Sequence, residues 1–401
     1  MKKILLGTSA LVASGLLATP AFAADPIKIS TIGYLQAYMG FGHFDRDGSS
    51  GTQKYEAVNF RYEGEIWFQG QTKLDNGTSI GLRVEMEAWS QGGVSFSGST
   101  DAKDQIDEEY LFAFGDWGRI EFGGTDSASY KMVYTTPTAL IGHSFAQHNF
   151  TWRGNSAPGA NAADHAGFTS SPGLIAVDSN KFTYFTPRIA GFQVGASFMP
   201  YFRSASGTLG GNAAQCGFLG GAGNPGACPK NADNYHYGID GGINYLNKFG
   251  DVSLALYGGA AWAGSEKNSP TSVVKDFWGW AVGANVGFYG WTIGGGAGQD
   301  NNGLKKNTTT FYTFGVMYET GPWQASVSYW HGQRKEGLAA VSGSGGAPGT
   351  DKVNYFTVGA NYAIGPGVKL VGGFVYDARK GQTIAERADA WQVLFGTELR
   401  F

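Results

Sequence analysis

The sequence predicts an all-β protein: a transmembrane antiparallel β-barrel of about sixteen strands, forming one domain over residues 24–401. Three observations predict it. Apolar and polar residues alternate with period two through segment after segment, the pattern of strands with two unlike faces. Tight turns and long connections follow one another in turn, as the two rims of a membrane barrel require. Beyond residue 23 no apolar run reaches the roughly 18 residues of a transmembrane helix, while 27 Phe, 20 Tyr, 11 Trp and 64 Gly accompany only 15% charged residues.

The chain opens on Met1-Lys2-Lys3, an apolar run over 4–17 and Ala21-Phe22-Ala23. A basic start, a short apolar core and an A-x-A site read as a secretory signal peptide over residues 1–23. Its removal takes away two of the 29 basic groups and none of the 32 acidic ones, leaving a formal charge of −5. That balance carries no basic patch for nucleic acid.

The first hairpin is the most explicit. Phe60, Tyr62, Ile66 and Phe68 alternate with Asn59, Arg61, Glu63, Glu65 and Gln69. Asn76-Gly77 then supplies the turn, because both central residues of a tight hairpin must accept positive φ. Ile80, Leu82, Val84, Met86 and Ala88 alternate in turn with Arg83, Glu85 and Glu87. A one-residue slip would send six charges into lipid together, at a cost on the order of 10 kcal/mol. The charges therefore face the lumen of a barrel. A soluble sandwich would use the same alternation with its apolar face inward, so this hairpin alone leaves both architectures open.

The remaining segments decide between them. Strands are expected near 28–40, 56–72, 78–90, 106–115, 118–125, 180–187, 191–200, 235–247, 250–263, 276–288, 291–299, 308–319, 322–332, 352–363, 367–378 and 388–401. Tight turns fall at Asp75-Asn76-Gly77, Asp116-Trp117, 187–190, 247–250, Tyr289-Gly290, Thr320-Gly321 and Gly365-Pro366-Gly367. In lipid every backbone N–H and C=O must be paired, so such a sheet has to close on itself. Aromatics near strand ends, such as Trp278, Trp280, Phe288, Tyr289 and Trp291, suit an interfacial girdle. The strand glycines are expected to thin the wall or ease bends. By alternation, Asp107, Glu109, Arg119 and Glu121 join Arg61, Glu63, Glu65, Arg83, Glu85 and Glu87 as pore-lining wall residues.

Residues 126–178 sustain neither period over about fifty positions, and a loop of that length in a compact domain is expected to be functional. It carries Asp126, Lys131, Arg153, Asp164 and Asp178, and the trio His143, His148 and His165, which suits solvated loop histidines better than pH gating or metal capture. Cys216 and Cys228 share one Gly/Asn/Pro-rich stretch and read as an intraloop disulfide of an exported chain. Other motifs carry little. Gly221, Gly223 and Gly226 lack the strand-to-helix context of a dinucleotide loop. Asp45, Asp47 and Glu56 have part of a calcium-loop spacing, with Ser50 where glycine is needed. No cofactor or metal is expected beyond that weak calcium signal. His143-Ser144 has no nucleophile elbow or orienting partner, so no enzyme activity is expected.

Tyr110-Leu111-Phe112-Ala113-Phe114-Gly115-Asp116-Trp117-Gly118-Arg119-Ile120-Glu121-Phe122-Gly123 resembles the strand-turn-strand ahead of the constriction loop in Gram-negative general diffusion porins. The stretch Asn180-Lys181-Phe182-Thr183-Tyr184-Phe185-Thr186-Pro187-Arg188-Ile189-Ala190-Gly191-Phe192 is similar to the pattern that follows that loop. The closing strand from Trp391 to Phe401 is similar to the family's C-terminal strand, whose last Phe is read by the barrel-assembly machinery. The resemblance implies a homotrimer of sixteen-stranded pores in outer-membrane lipid. In each pore the third long loop, 126–178 here, folds inward opposite Arg61 and Arg83. It also implies passive passage of ions and small hydrophilic solutes; a substrate-specific channel is the alternative, with a barrel enzyme or adhesin further off. Where the family often has Arg or Lys, this chain has Gly124, which weakens the basic cluster opposite the loop. On strands two to five and their loop, acidic groups outnumber basic ones, and weak cation preference is expected.

Overall fold

The computed structural model describes residues 26–46, 57–88, 106–140, 179–204, 234–266, 275–301, 303–336, 349–380 and 388–401. Sixteen antiparallel strands close into a barrel in which every strand pairs with its sequence neighbours and the first pairs with the last. They are β1 (Lys28–Arg46), β2 (Val58–Lys73), β3 (Ser79–Glu87), β4 (Ile106–Gly115), β5 (Gly118–Gly124), β6 (Asn180–Phe185), β7 (Phe192–Ser204) and β8 (Asn234–Phe249). The circuit continues with β9 (Val252–Glu266), β10 (Phe277–Phe288), β11 (Trp291–Asp300), β12 (Asn307–Thr320), β13 (Trp323–Glu336), β14 (Gly349–Gly365), β15 (Val368–Lys380) and β16 (Ala388–Arg400). One helical turn, α1 (Ala128–Lys131), interrupts the loop that was expected to have no regular structure.

Closure runs through β1 and β16, where Tyr34 pairs with Arg400 and Arg46 with Ala388. This seam leaves no sheet edge, which satisfies the backbone requirement of a hydrocarbon environment. The tight turns fall as the residues demand. Gly77, Gly250, Gly290, Gly321 and Gly367 all have positive φ, a conformation glycine adopts without steric cost.

The barrel is apolar outside and polar inside. Leu111 is 56% exposed and Phe122 64% exposed, while Glu121 is 3% and Asp240 1% exposed. Outward aromatics form two levels. Trp291 packs at a tilt against Tyr318 and Trp323 against Tyr362 at the tight-turn rim, and Trp262, Trp280, Tyr312 and Trp391 stand exposed toward the long-loop rim. From Trp280 to Phe288 on β10 is eight residues, or about 20 Å of height at a strand rise of about 3.4 Å and a tilt of about 40°. That matches the apolar band of an outer-membrane barrel, about 25 Å. Among the described residues no helix is long and apolar enough to cross a membrane.

The buried cluster does not fill the barrel. It lies between the inner wall and residues 128–140, joining Ala128, Met132 and Leu140 to Phe185, Tyr257, Ala281, Phe311, Trp330, Val371 and Val375. The lumen therefore has a packed side under the loop and a side left to charged wall groups.

Candidate functional site: an acidic wall faced by a seated loop

The charged side is built from β2 to β5. Arg83 lies with its guanidinium 3.9 Å from the Trp67 ring centroid and its Nε 2.5 Å from Glu85 Oε1. Glu65 accepts hydrogen bonds from the Tyr34 hydroxyl at 3.1 Å and from Trp67 Nε1 at 2.8 Å. Glu65, Glu85 and Asp107 bring carboxylate oxygens within 4.8 Å of one another. Arg119 Nε stands 2.6 Å from Glu121 Oε1, with its guanidinium over the Phe112 ring. Each arginine is thus tied to an acid and an aromatic face, which fixes its direction in the lumen.

Glu109 is a correction. The register of β3 and β4 shifts between Val84 and Met86, pairing Val84 with Glu109 and Met86 with Ile106. Such a bulge sets two residues of one strand against one of its partner, so strict alternation fails across it. Asp107, expected on the lumen wall, stands with Glu65 and Glu85, but Glu108 turns inward too, accepting bonds from Thr125 Oγ1 and the Asp126 amide, both at 2.9 Å. Glu109 is left exposed on the outer face, on the same side as Leu111. Glu108 takes the lumen position assigned to Glu109, so the count of inward acids does not change.

The loop enters at Gly124, which pairs with Glu109 and Asn180. Asp126 is half-buried beside Glu108 with its Oδ1 shielded from solvent, and its carboxyl is pushed up to about 8, by desolvation first and then by the charge of Glu108. Lys131 Nζ donates to Glu121 Oε2 and Thr125 Oγ1, both at 2.7 Å. Burial works against the charged Lys131, but Glu121 and Glu108 outweigh it and hold its pKa above the ordinary value. These two expected loop residues are therefore at the lumen wall.

From there the chain crosses nine consecutive strands. Asp240 on β8 accepts from Ser127 Oγ at 2.8 Å, from the Ser129 amide at 3.1 Å and from the Ser129 hydroxyl. Ser197 on β7 accepts from the Ala128 amide at 2.8 Å, and the Tyr257 hydroxyl on β9 donates to the Ser129 carbonyl at 2.9 Å. Thr136 meets Thr313 on β12. Ser328 and Ser326 on β13 bond the Pro137 carbonyl at 2.9 Å and the Ala139 amide at 2.7 Å. Asn361 on β14 donates to the Ala139 carbonyl at 2.8 Å. A Cβ at Gly283 on β10 would overlap the Tyr134 carbonyl oxygen, one at Gly296 on β11 would meet Thr135 at 2.9 Å, and one at Gly373 on β15 would meet Leu140 at 2.5 Å.

These wall glycines make a track in which the loop backbone lies. The expectation that they thin the wall is too general: at these positions, absence of a side chain is what lets another backbone approach. Short Ser, Thr and Asn side chains beside them replace the water that loop N–H and C=O groups lose on burial.

Several expected residues lie outside the described ones. They are the leader over 1–23, the loop beyond residue 140 with Arg153, Asp164, Asp178 and its three histidines, Cys216 and Cys228, and Asp47 and Glu56 of the partial calcium spacing. The side chains of Asp45, Arg61, Glu63 and Glu87 are also outside the description, although the backbones pair Arg61 with Tyr38, Glu63 with Gln36 and Glu87 with Glu65. Sequence reasoning missed Glu108, Asp240 and Asn361. Asp240 had a signal, an acid among Ile239, Gly241, Gly242 and Ile243 in a strand otherwise without lumen charge at that level.

The comparisons with known proteins agree with this geometry. A family model described as Gram-negative porin matches residues 7–382. The chain belongs to the Gram-negative porins. The porin is accordingly a channel of the bacterial outer membrane rather than an enzyme. Among solved structures it is similar to the anion-selective porin from Comamonas acidovorans, with 15% identity, a TM-score of 0.59, and 93% of this chain and 100% of that one covered. It is likewise similar to the outer membrane channel DcaP of Acinetobacter baumannii, at 14% identity, TM-score 0.54 and coverage of 96% and 99%. OmpT of Vibrio cholerae matches at 10% identity and TM-score 0.55, covering 96% of this chain and 100% of that one. No curated protein sequence matches. At these identities the likeness is one of fold, and charge selectivity has to be read from this porin's own residues.

Proposed function

We propose that the porin is a weakly cation-selective general diffusion pore whose narrowest level lies between the β2–β5 wall and the third long loop. The observation that carries this is the asymmetry of the lumen: residues 126–140 are seated along β7 to β15, while the β2–β5 wall carries the Glu65–Glu85–Asp107 cluster, with Arg83 ion-paired to Glu85. Acidic groups lining a water-filled constriction raise local cation concentration, and Arg83 and Arg119, each paired with an acid of the same wall, offset part of that charge. Reversal potentials of the purified porin under a potassium chloride gradient test this; a cation-positive sign is expected, and an anion-selective potential would overturn it. The same experiment with Glu85→Gln and Asp107→Asn together should move the potential toward zero.

Assembly as a homotrimer has its own support. Glu109 sits on the outer face six residues from Gly115 at the tight turn, about 15 Å above that rim at the usual rise and tilt. A carboxylate at that depth is unfavourable in lipid but accommodated against a second protein surface. The neighbouring strands β3 to β6 are only 6–10 residues long, against 13–16 in β7 to β9. Their low wall suits an interface between copies. Removal of a leader over residues 1–23 and recognition of Phe401 by the assembly machinery complete the proposed route to the membrane. Light scattering of the detergent-extracted porin tests the trimer; a monomeric mass would refute it.

A further inference from the structure

The outer ends of β13, β14 and β15 carry a feature the pore does not use. Lys335, Lys352 and Lys380 are all exposed, and they stand on the outer face by the alternation that buries Arg334, Val353 and Asp377 inward. Lys352 is directly opposite Lys380 across the β14–β15 ladder. Lys335 pairs with Thr350, two residues from Lys352 on the same face. Directly opposed like charges destabilise a sheet, and among the described residues none of the three lysines has an ion pair or hydrogen bond. The nearby outward acid, Asp389, is engaged by the Tyr376 hydroxyl.

Just below them on the same face lies an amphipathic cluster. The Tyr329 hydroxyl donates to Asn354 Oδ1 at 2.8 Å, His331 Nδ1 is 2.8 Å from the same oxygen, and the His331 ring stacks on Tyr312 with centroids 4.9 Å apart. Tyr rings such as Tyr312 and Tyr329 mark the level where hydrocarbon gives way to headgroups. Lys352 is two residues beyond Asn354, about 5 Å higher. The lysines thus stand at phosphate height, at the rim that carries the long loops, which is the outward rim of an outer-membrane barrel.

We propose that this face binds a phosphorylated glycolipid of the outer leaflet, one phosphate resting between Lys352 and Lys380 within reach of Lys335, and its acyl chains lying over the Tyr312–Tyr329–His331 cluster. The phosphate removes the repulsion of the lysine pair, and the aromatic shelf gives the lipid its depth. Clustered basic side chains at a membrane surface recognise anionic headgroups in this way.

Native mass spectrometry of the detergent-extracted porin tests the site with three probes: a bis-phosphorylated glucosamine-disaccharide lipid, the same lipid dephosphorylated, and inorganic phosphate. The phosphorylated lipid should be retained, and the dephosphorylated lipid should bind at least about tenfold more weakly. In Lys352→Ala with Lys380→Ala, binding should fall about thirtyfold, while Lys248→Ala at the opposite rim should leave it unchanged. Equal retention of both lipids, or undiminished binding by the double variant, would overturn the proposal. Competition by inorganic phosphate at equal concentration would also overturn it, by showing a free-anion site. The comparison of two lipids on the unaltered porin holds even where the double variant folds poorly.

Discussion

Glu108 and Glu109 carry the same side chain, yet one holds the start of the loop and the other faces out of the barrel. Neighbours on a strand point to opposite faces, and the bulge shifts which of the two enters the lumen, which gives opposite expectations for two near-identical substitutions. Glu108→Gln removes a charge that accepts from Thr125 and Asp126, and should weaken both loop attachment and cation preference, at a cost of about 1–3 kcal/mol. Glu109→Gln should leave the reversal potential unchanged. Equal shifts of the potential in the two variants would show that the register is misread. Asp126 adds a pH dependence. An acid whose pKa is higher folded than unfolded holds its proton more tightly with the loop seated. Seating is therefore strongest near pH 4 and weakens as pH rises toward about 8. The temperature of heat-modified migration should fall over that interval, and Asp126→Asn should flatten the fall; an unaltered slope would contradict the burial of that carboxyl.

At the scale of elements, the strands were legible and the seating of the loop was not. Alternation, Asn76-Gly77 and the other glycine turns locate all sixteen strands, with the largest error at the long-loop end of β1, which runs to Arg46 rather than 40, because each signal is local to one hairpin. A bulge is not local: its shift appears only when Val84 is set against Glu109 across a ladder. The loop's path is less visible still. Gly283, Gly296, Gly315 and Gly373 are scattered through four strands, and what they share is contact with residues 134–140. No period links them to that segment. Gly283→Ala should force the Tyr134 backbone off the wall and into the lumen, lowering single-channel conductance. Gly372→Ala, on the outer face with its nearest neighbour at 3.6 Å, should not change it. Equal conductance in the two variants would show that the track does not position the loop.

The whole molecule is a wall with two purposes divided around its circumference. From β7 to β15 it holds a loop with short polar side chains and bare backbone; from β2 to β5 it presents charge to water. Which side would hold the loop was not readable from charge counts, since Asp240 looks like one more lumen acid but is consumed by Ser127 and Ser129. Fold and family follow from the pattern of strands, whereas the proposed selectivity follows from which acids face water once the loop is seated. The most direct test is single-channel recording of the purified, detergent-extracted porin in a planar lipid bilayer under a salt gradient. Large stepwise conductances in groups of three, with a weakly cation-selective reversal potential, are predicted. Correctly folded protein that passes no current would contradict the open pore.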